Sequence, residues 1–291
     1  MKYNFVALVI TSLLLSNSAL GKEKVAKAEL IVVSAPSVTQ GRPNNNCPQF
    51  QVFGYPVIAD PKVLRRAFYT CRMGYAGLYD PSERTPLWIA EHLTKSGFAG
   101  DAQREYLDFI PDPDIPRGAM PKPGDYAKSG FDKGHLAPAA DFKNSQAAMT
   151  EAFQFGNAVP QAPESNRHTW KQLEDATREI ALRRGEIFVV SGPIYSQSPR
   201  RKLGNSVSIP DATFKILIDA KGRTMTGFVV PNSPDVDKDF RVYQVKIREI
   251  EKLTGLNFNP NLSRLEADKL EVLTGGDWVM PKNKIRDVSV R

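Results

Sequence analysis

Residues 132–142 read DKGHLAPAADF and residues 156–174 read GNAVPQAPESNRHTWKQLE, with a short apolar run of helical spacing between them. The two segments gather His135, Asn157, Asn166, Glu174 and several cations. Such residues make poor core material, because His, Asn, Glu and Lys are rarely buried without partners. They make good site material. Oxygen ligands suit a hard divalent cation, imidazole suits proton transfer near neutral pH, and cations suit phosphate.

Outward from this stretch, a helix is predicted from Ser165 or Asn166 to about Arg184, with Gly185 as its stop. On it Asn166, Trp170, Glu174 and Arg178 recur every four residues and drift slowly around one face. The ordinary alternative for that face is a solvated ion pair between Glu174 and Arg178. Upstream, NSQAAMTEAFQF (144–155) predicts a shorter helix capped by Asn144 or Ser145 and ended by Gly156. Residues 100–130 are dense in Pro, Gly and Asp and read as a long irregular loop, a kind that is usually functional or mobile. Arg104 opens that loop and, alone, is a surface charge.

The strands lie on either side. QVFGYPVIAD (51–60) reads as a short strand entering a turn, and RRAFYTCRMGYAGLYD (65–80) alternates as one half-buried strand would. TPLWIAEHLT (85–94) and GEIFVVSGPIY (185–195) follow the same logic, the second as a buried strand. DATFKILIDAKGRTMTGFVVPN (211–232) reads as a hairpin turning at Asp219–Gly222. A helix is expected from about Asp239 to Leu253, ended at Gly255. Short strands alternating with few helices predict an α+β fold, a central antiparallel sheet flanked by helices.

The sequence has 291 residues, 41% of them apolar, enough for a substantial core. Its formal charge is +7 and its pI about 9.3. That balance favours anionic partners: nucleic acid first, then acidic polysaccharide or an anionic membrane surface. Residues 1–21, MKYNFVALVITSLLLSNSALG, have the form of a secretory signal peptide, with an apolar run from Phe5 to Leu15 that is too short to span a bilayer. No other stretch is apolar enough to make a transmembrane segment. The chain is therefore expected to be exported, periplasmic or secreted, with residues 22–46 as an N-terminal extension and 47–291 as a single domain. Cys47 and Cys71 both follow the leader, so a disulfide between them is expected, two buried thiols being the alternative.

DKGH, then GNAVPQ, then Asn166, Trp170, Leu173 and Glu174 resemble, in order and spacing, the hallmark of the DNA/RNA non-specific endonucleases, the sugar-nonspecific ββα-metal nucleases. That hallmark is D-R-G-H, N-x-x-P-Q and N-x-x-x-W-x-x-L-E. Softer similarity through WIAEHL, the Arg104 region, EIFVVSGPIY and IEKLTGLNFNP extends it over most of residues 47–262. The resemblance implies a metal-dependent phosphodiesterase that cuts DNA and RNA internally and leaves 5′-phosphates. By it, His135 is the general base and Asn166 the direct ligand of a single hydrated Mg²⁺, with Mn²⁺ as a substitute. Glu174 reaches that metal through water, and Asn157 orders the site. Arg104, Arg178 and Arg183 match positions that contact or balance the phosphate. His168 has no family role and is read as peripheral.

Lys133 stands where the family usually has Arg, so the charge survives but the planar two-pronged donor does not. It motivates an alternative, a catalytically impaired nucleic-acid-binding module of the same fold. A phosphodiesterase acting on another anionic ester is a third reading. A homodimer and a protein inhibitor are both compatible with the resemblance, and neither is legible in the residues.

Overall fold

The computed structural model describes residues 47–104, 106–204, 206–271, 278 and 280. The signal peptide and extension expected over residues 1–46 lie outside the described residues. The Cys47–Cys71 disulfide is formed, with the two Cα atoms 6.0 Å apart, and ties the first described residue to the sheet.

Gly54 and Pro56 interrupt the first apolar run, so β1 (Val57–Ile58) is only two residues long. Asp60 then caps α1 (Pro61–Arg66) by accepting from the Lys62 amide. The segment expected to form one half-buried strand forms two, β2 (Phe68–Cys71) and β3 (Tyr75–Asp80), paired antiparallel. β3 is buried along its whole length because both faces of the sheet are covered. β4 (Thr85–Thr94) follows, and a long irregular segment leads to β5 (Asp132–His135).

α2 (Gln146–Glu151) is capped by Ser145, whose hydroxyl accepts from the Ala148 amide. It stops well before Gly156, which instead belongs to a 3-10 turn, Phe155–Asn157, leading into β6 (Ala158–Gln161). α3 (Lys171–Arg184) is preceded by a wider π-helical turn, Ser165–Trp170, and ends where Gly185 adopts φ 87°.

β7 (Glu186–Ile194), the small ladder of β8 (Lys202–Leu203) with β9 (Val207–Ser208), and the hairpin of β10 (Ala212–Asp219) and β11 (Thr224–Pro231) come next. The helix expected from Asp239 does not begin there. Asp239 caps a 3-10 turn, Phe240–Tyr243, and β12 (Gln244–Val245) then pairs with the open edge of β11, satisfying backbone groups that a helix would have taken. α4 (Ile247–Thr254) starts only after it and ends at left-handed Gly255, followed by β13 (Leu256–Asn257) and α5 (Arg264–Glu271).

Seven strands form the central antiparallel sheet in the order β12-β11-β10-β7-β4-β3-β2, an α+β architecture as the sequence predicted. Side chains alternate across it. Phe214, Ile216 and Ile218 of β10 pack with Ile247 and Ile250 of α4 on one face. Leu217 packs with Leu173, Ile180 and Ala181 of α3 on the other. By that parity Lys215 points with Leu217 toward α3, and on β4 Glu91 lies on the same side as Ile89 and Leu93. This face carries the cleft described next.

Candidate active site

β5 and β6 form a two-stranded hairpin outside the main sheet, with His135 opposite Ala158. Gly134 permits the close approach: a Cβ there would collide with the Gln161 carboxamide. Asn157 is fully buried and uses its whole side chain on backbone. Its Oδ1 accepts from the Ala137 amide at 2.9 Å, and its Nδ2 donates to the Ala137 and Ala152 carbonyls at 2.8 Å each. The Trp170 indole donates to the His135 carbonyl at 3.2 Å. The main chain at the histidine and just after it is thus pinned from two elements.

The His135 ring packs between Phe109 and Phe153, with centroids 4.6 and 4.7 Å away. It borders the cleft, yet its Nε2 is shut off from water and has no hydrogen-bond partner. Burial, and secondarily the Arg104 charge, lowers its pKa from 6.5 to about 3. The imidazole is therefore neutral at physiological pH, with a ring nitrogen uncommitted.

The irregular segment after β4 supplies one wall. It is held by buried Arg72, which pairs with Asp112 and also with Asp114 at 2.7 Å, and by backbone bonds from Ile110 to Phe153 and from Phe155 to Ile110. On that wall Arg104 lies 5.8 Å from the Phe153 ring centroid. Lys133 Nζ donates to Asp108 Oδ1 at 2.7 Å, and this bond is the main reason the Asp108 carboxyl sits below its usual range.

The π turn and α3 supply the opposite wall. Asn166 Nδ2 donates to Asp132 Oδ2 at 2.9 Å, and Arg167 grips the same carboxylate with Nε at 2.8 Å and Nη2 at 2.7 Å. A carboxylate held by Arg is acceptor-only, so Asn166 must turn its NH₂ toward Asp132 and leave Oδ1 free. Two turns on is Glu174. Burial lifts its carboxyl to about 7, against the opposing pull of Lys215 and Arg178. Arg178 pairs with buried Asp141 at 2.7 Å and also with Asp175.

These walls enclose a cleft of about 600 Å³. His135, Asn166 and Glu174 line it, as do Arg104, Lys133 and Arg178. Among the described residues no cluster of three or more His, Cys, Asp or Glu can cage a metal. What the cleft offers instead fits a divalent cation that keeps most of its water: one neutral amide oxygen and a nearby carboxylate.

Arg183 does not line the cleft. At roughly 100° per helical residue it lies about 180° around α3 from Glu174, so its side chain leaves on the far side. Asn157 is not a cleft residue either, and acts on the backbone beneath it. His168 is half-exposed beside Glu164 at 3.3 Å, away from the site. Three contributors had no role in the sequence reading. Asp132 was visible as the first letter of DKGH, Arg167 follows Asn166 directly, and Lys215 is a lone charge in an apolar strand.

A family model described as DNA/RNA non-specific endonuclease matches residues 58–265. The chain belongs to that family. Nuclease EXOG of Xenopus laevis, a mitochondrial protein, is 37% identical over 208 residues, covering 66% of this chain and 58% of its own length. A nuclease of Nostoc sp. is 34% identical over 225 residues, 73% of this chain and 81% of its own. Mitochondrial endonuclease G of Bos taurus is 34% identical over 239 residues, 77% of each chain. The chain thus spans less than two thirds of the length of the EXOG relatives it matches. Among solved structures, EndoG in complex with EndoGI superposes with a TM-score of 0.65 at 27% identity, covering 75% of this chain and 93% of the other. The ββα-metal fold of the family is therefore present.

Proposed function

We propose that this chain is an exported sugar-nonspecific endonuclease that hydrolyses phosphodiester bonds of DNA and RNA and leaves 5′-phosphate ends. The observation that carries this is the placement of a neutral imidazole, His135, and a free amide oxygen, Asn166, on one cleft that also holds fixed cations. His135 takes the proton of the attacking water at Nδ1, since Nε2 is shielded from solvent while the residue lines the cleft. Its low basicity in the free protein rises when an anionic phosphodiester lies against the ring, since a nearby negative charge favours the imidazolium. Arg104 and Arg178 stabilise charge that grows on the non-bridging oxygens, and Lys133 exchanges Asp108 for phosphate. A hydrated Mg²⁺ or Mn²⁺, held by Asn166 with Glu174 reaching its waters, would polarise the phosphate and stabilise the leaving oxygen. Recognition through phosphates gives little base preference and strong salt dependence.

Export is supported by the signal-like residues 1–21 and by the disulfide, which belongs in an oxidising compartment. The EXOG and endonuclease G relatives are mitochondrial, so the compartment rests on this chain's own features. EndoG was solved in complex with EndoGI, and by that likeness a protein inhibitor is proposed for this chain as well.

The test is hydrolysis of plasmid DNA and of RNA by the chain lacking residues 1–21, with Mg²⁺ and with chelator. Cleavage of both, lost with chelator and in His135→Ala, is expected. A protein inert on both with Mg²⁺ or Mn²⁺ refutes the reading. Salt-sensitive DNA binding without products would select the binding module instead, and turnover of a small diester alone would select a narrower phosphodiesterase.

A further inference from the structure

Lys215 is 1% exposed in the middle of β10. Lysines are almost never buried this fully unless a carboxylate pairs with them. Lys215 donates instead to Ser191 Oγ at 2.8 Å and to the Leu136 carbonyl at 3.4 Å, and its Nζ stands 4.9 Å from the Trp170 ring centroid. Glu91, Asp141 and Glu174 offset its charge through space. Glu91 is itself fully buried, with both carboxylate oxygens unpartnered. The two groups the ammonium touches outside the sheet belong to the two arms of the cleft. Leu136 follows His135 on the hairpin, and Trp170 stands one turn after Asn166.

We propose that Lys215 is a positioning residue for phosphodiester hydrolysis: from the central sheet it holds both the strand carrying His135 and the helical turn carrying Asn166, and so sets the distance between them. The Trp170 indole closes the loop by donating to the His135 carbonyl, so the ammonium, the ring and two successive carbonyls form one clamp. The adjacent pair Ser191 and Lys215, directly opposite in the β7–β10 ladder, anchors that clamp to the most buried part of the sheet. A cation is suited to this task because it binds two acceptors and an aromatic face at once. This inference rests on His135 and Asn166 acting as proposed above.

Lys215→Met keeps the volume but removes the larger of the two countercharges of buried Glu91, so it is paired with Glu91→Gln in a second, charge-balanced variant; Ser191→Ala is a milder third. Each is made in the full chain and assayed for kcat and KM on DNA. The ring ¹⁵N signals of His135, one of three histidines, are read alongside. The proposal expects the folded double variant to lose about 10- to 100-fold in kcat with KM within about twofold, because a displaced base slows chemistry without weakening binding. It expects the His135 signals to move, and Ser191→Ala to lose kcat several-fold. If Lys215 serves only to neutralise buried carboxylates, the double variant shows parental kcat and parental His135 signals, which overturns the proposal. Should neither Lys215 variant fold, Ser191→Ala decides, and parental kcat there overturns it as well. A parent protein inert on nucleic acid would sink the nuclease reading, while the His135 signals would still show whether Lys215 positions the ring.

Discussion

Replacing His135 with Gln removes one titrating ring, so the pH dependence of the stability difference between parent and variant isolates that ring. Burial, with help from Arg104, holds it at a pKa of about 3 in the folded protein. In the unfolded chain it titrates near 6.5, within the usual range for imidazole. Between those two values the unfolded chain binds a proton that the folded protein does not. The parent therefore loses stability progressively as pH falls from about 6.5 towards 3, and the His135→Gln variant has no such loss. For a ring held dry, the loss between pH 7 and pH 4.5 is about 2.5 kcal/mol, and hydration of the cleft-facing edge lowers this to no less than about 1 kcal/mol. Glu174 and the other carboxylates titrate in both proteins and cancel. Urea unfolding followed by circular dichroism at pH 7, 5.5 and 4.5 gives the comparison, with the variant gaining relative to the parent at each step down. Parallel curves, differing by less than about 0.3 kcal/mol across that range, would show that the ring titrates as in water and that the neutral, shielded base is wrong.

Asn157→Ala leaves the Ala137 amide and two carbonyls without partners in a dry interior, and is expected to cost about 2–4 kcal/mol in chemical denaturation; an unchanged midpoint would contradict the pinning role. Arg104→Ala should lower kcat/KM on DNA by about 10- to 100-fold, whereas Arg183→Ala should stay within about twofold of the parent, because only the first lines the cleft. Equal losses in the two variants would mean that the substrate path crosses the far side of α3. Replacing both cysteines with serine opens a link between residues 24 apart and should cost about 3 kcal/mol, read as a lower melting temperature with kcat retained in the folded protein.

Much of the fold and of the site is legible in the sequence itself. Alternation along TPLWIAEHLT and DATFKILID marked strands, Gly185 and Gly255 marked helix ends, and the spaced DKGH, GNAVPQ and N-x-x-x-W-x-x-L-E segments marked the site, since these are local signals written in neighbouring residues. Where local signals competed, tertiary pairing won. The residues from Asp239 gave part of their length to a sheet edge, and one apparent strand folded back into β2 and β3.

The sequence alone determined which chemical groups are available and roughly which elements carry them. Only the tertiary structure decided which of those groups share a cleft, because that depends on the angle at which α3 leaves the π turn and on which parity of each strand faces it. The helix turns Arg183 away and keeps Arg178, and the strand parity brings Lys215 and Glu91, more than a hundred residues apart, to the same face of the sheet. Spacing along a chain fixes direction only within one element, and the packing of several elements fixes the rest.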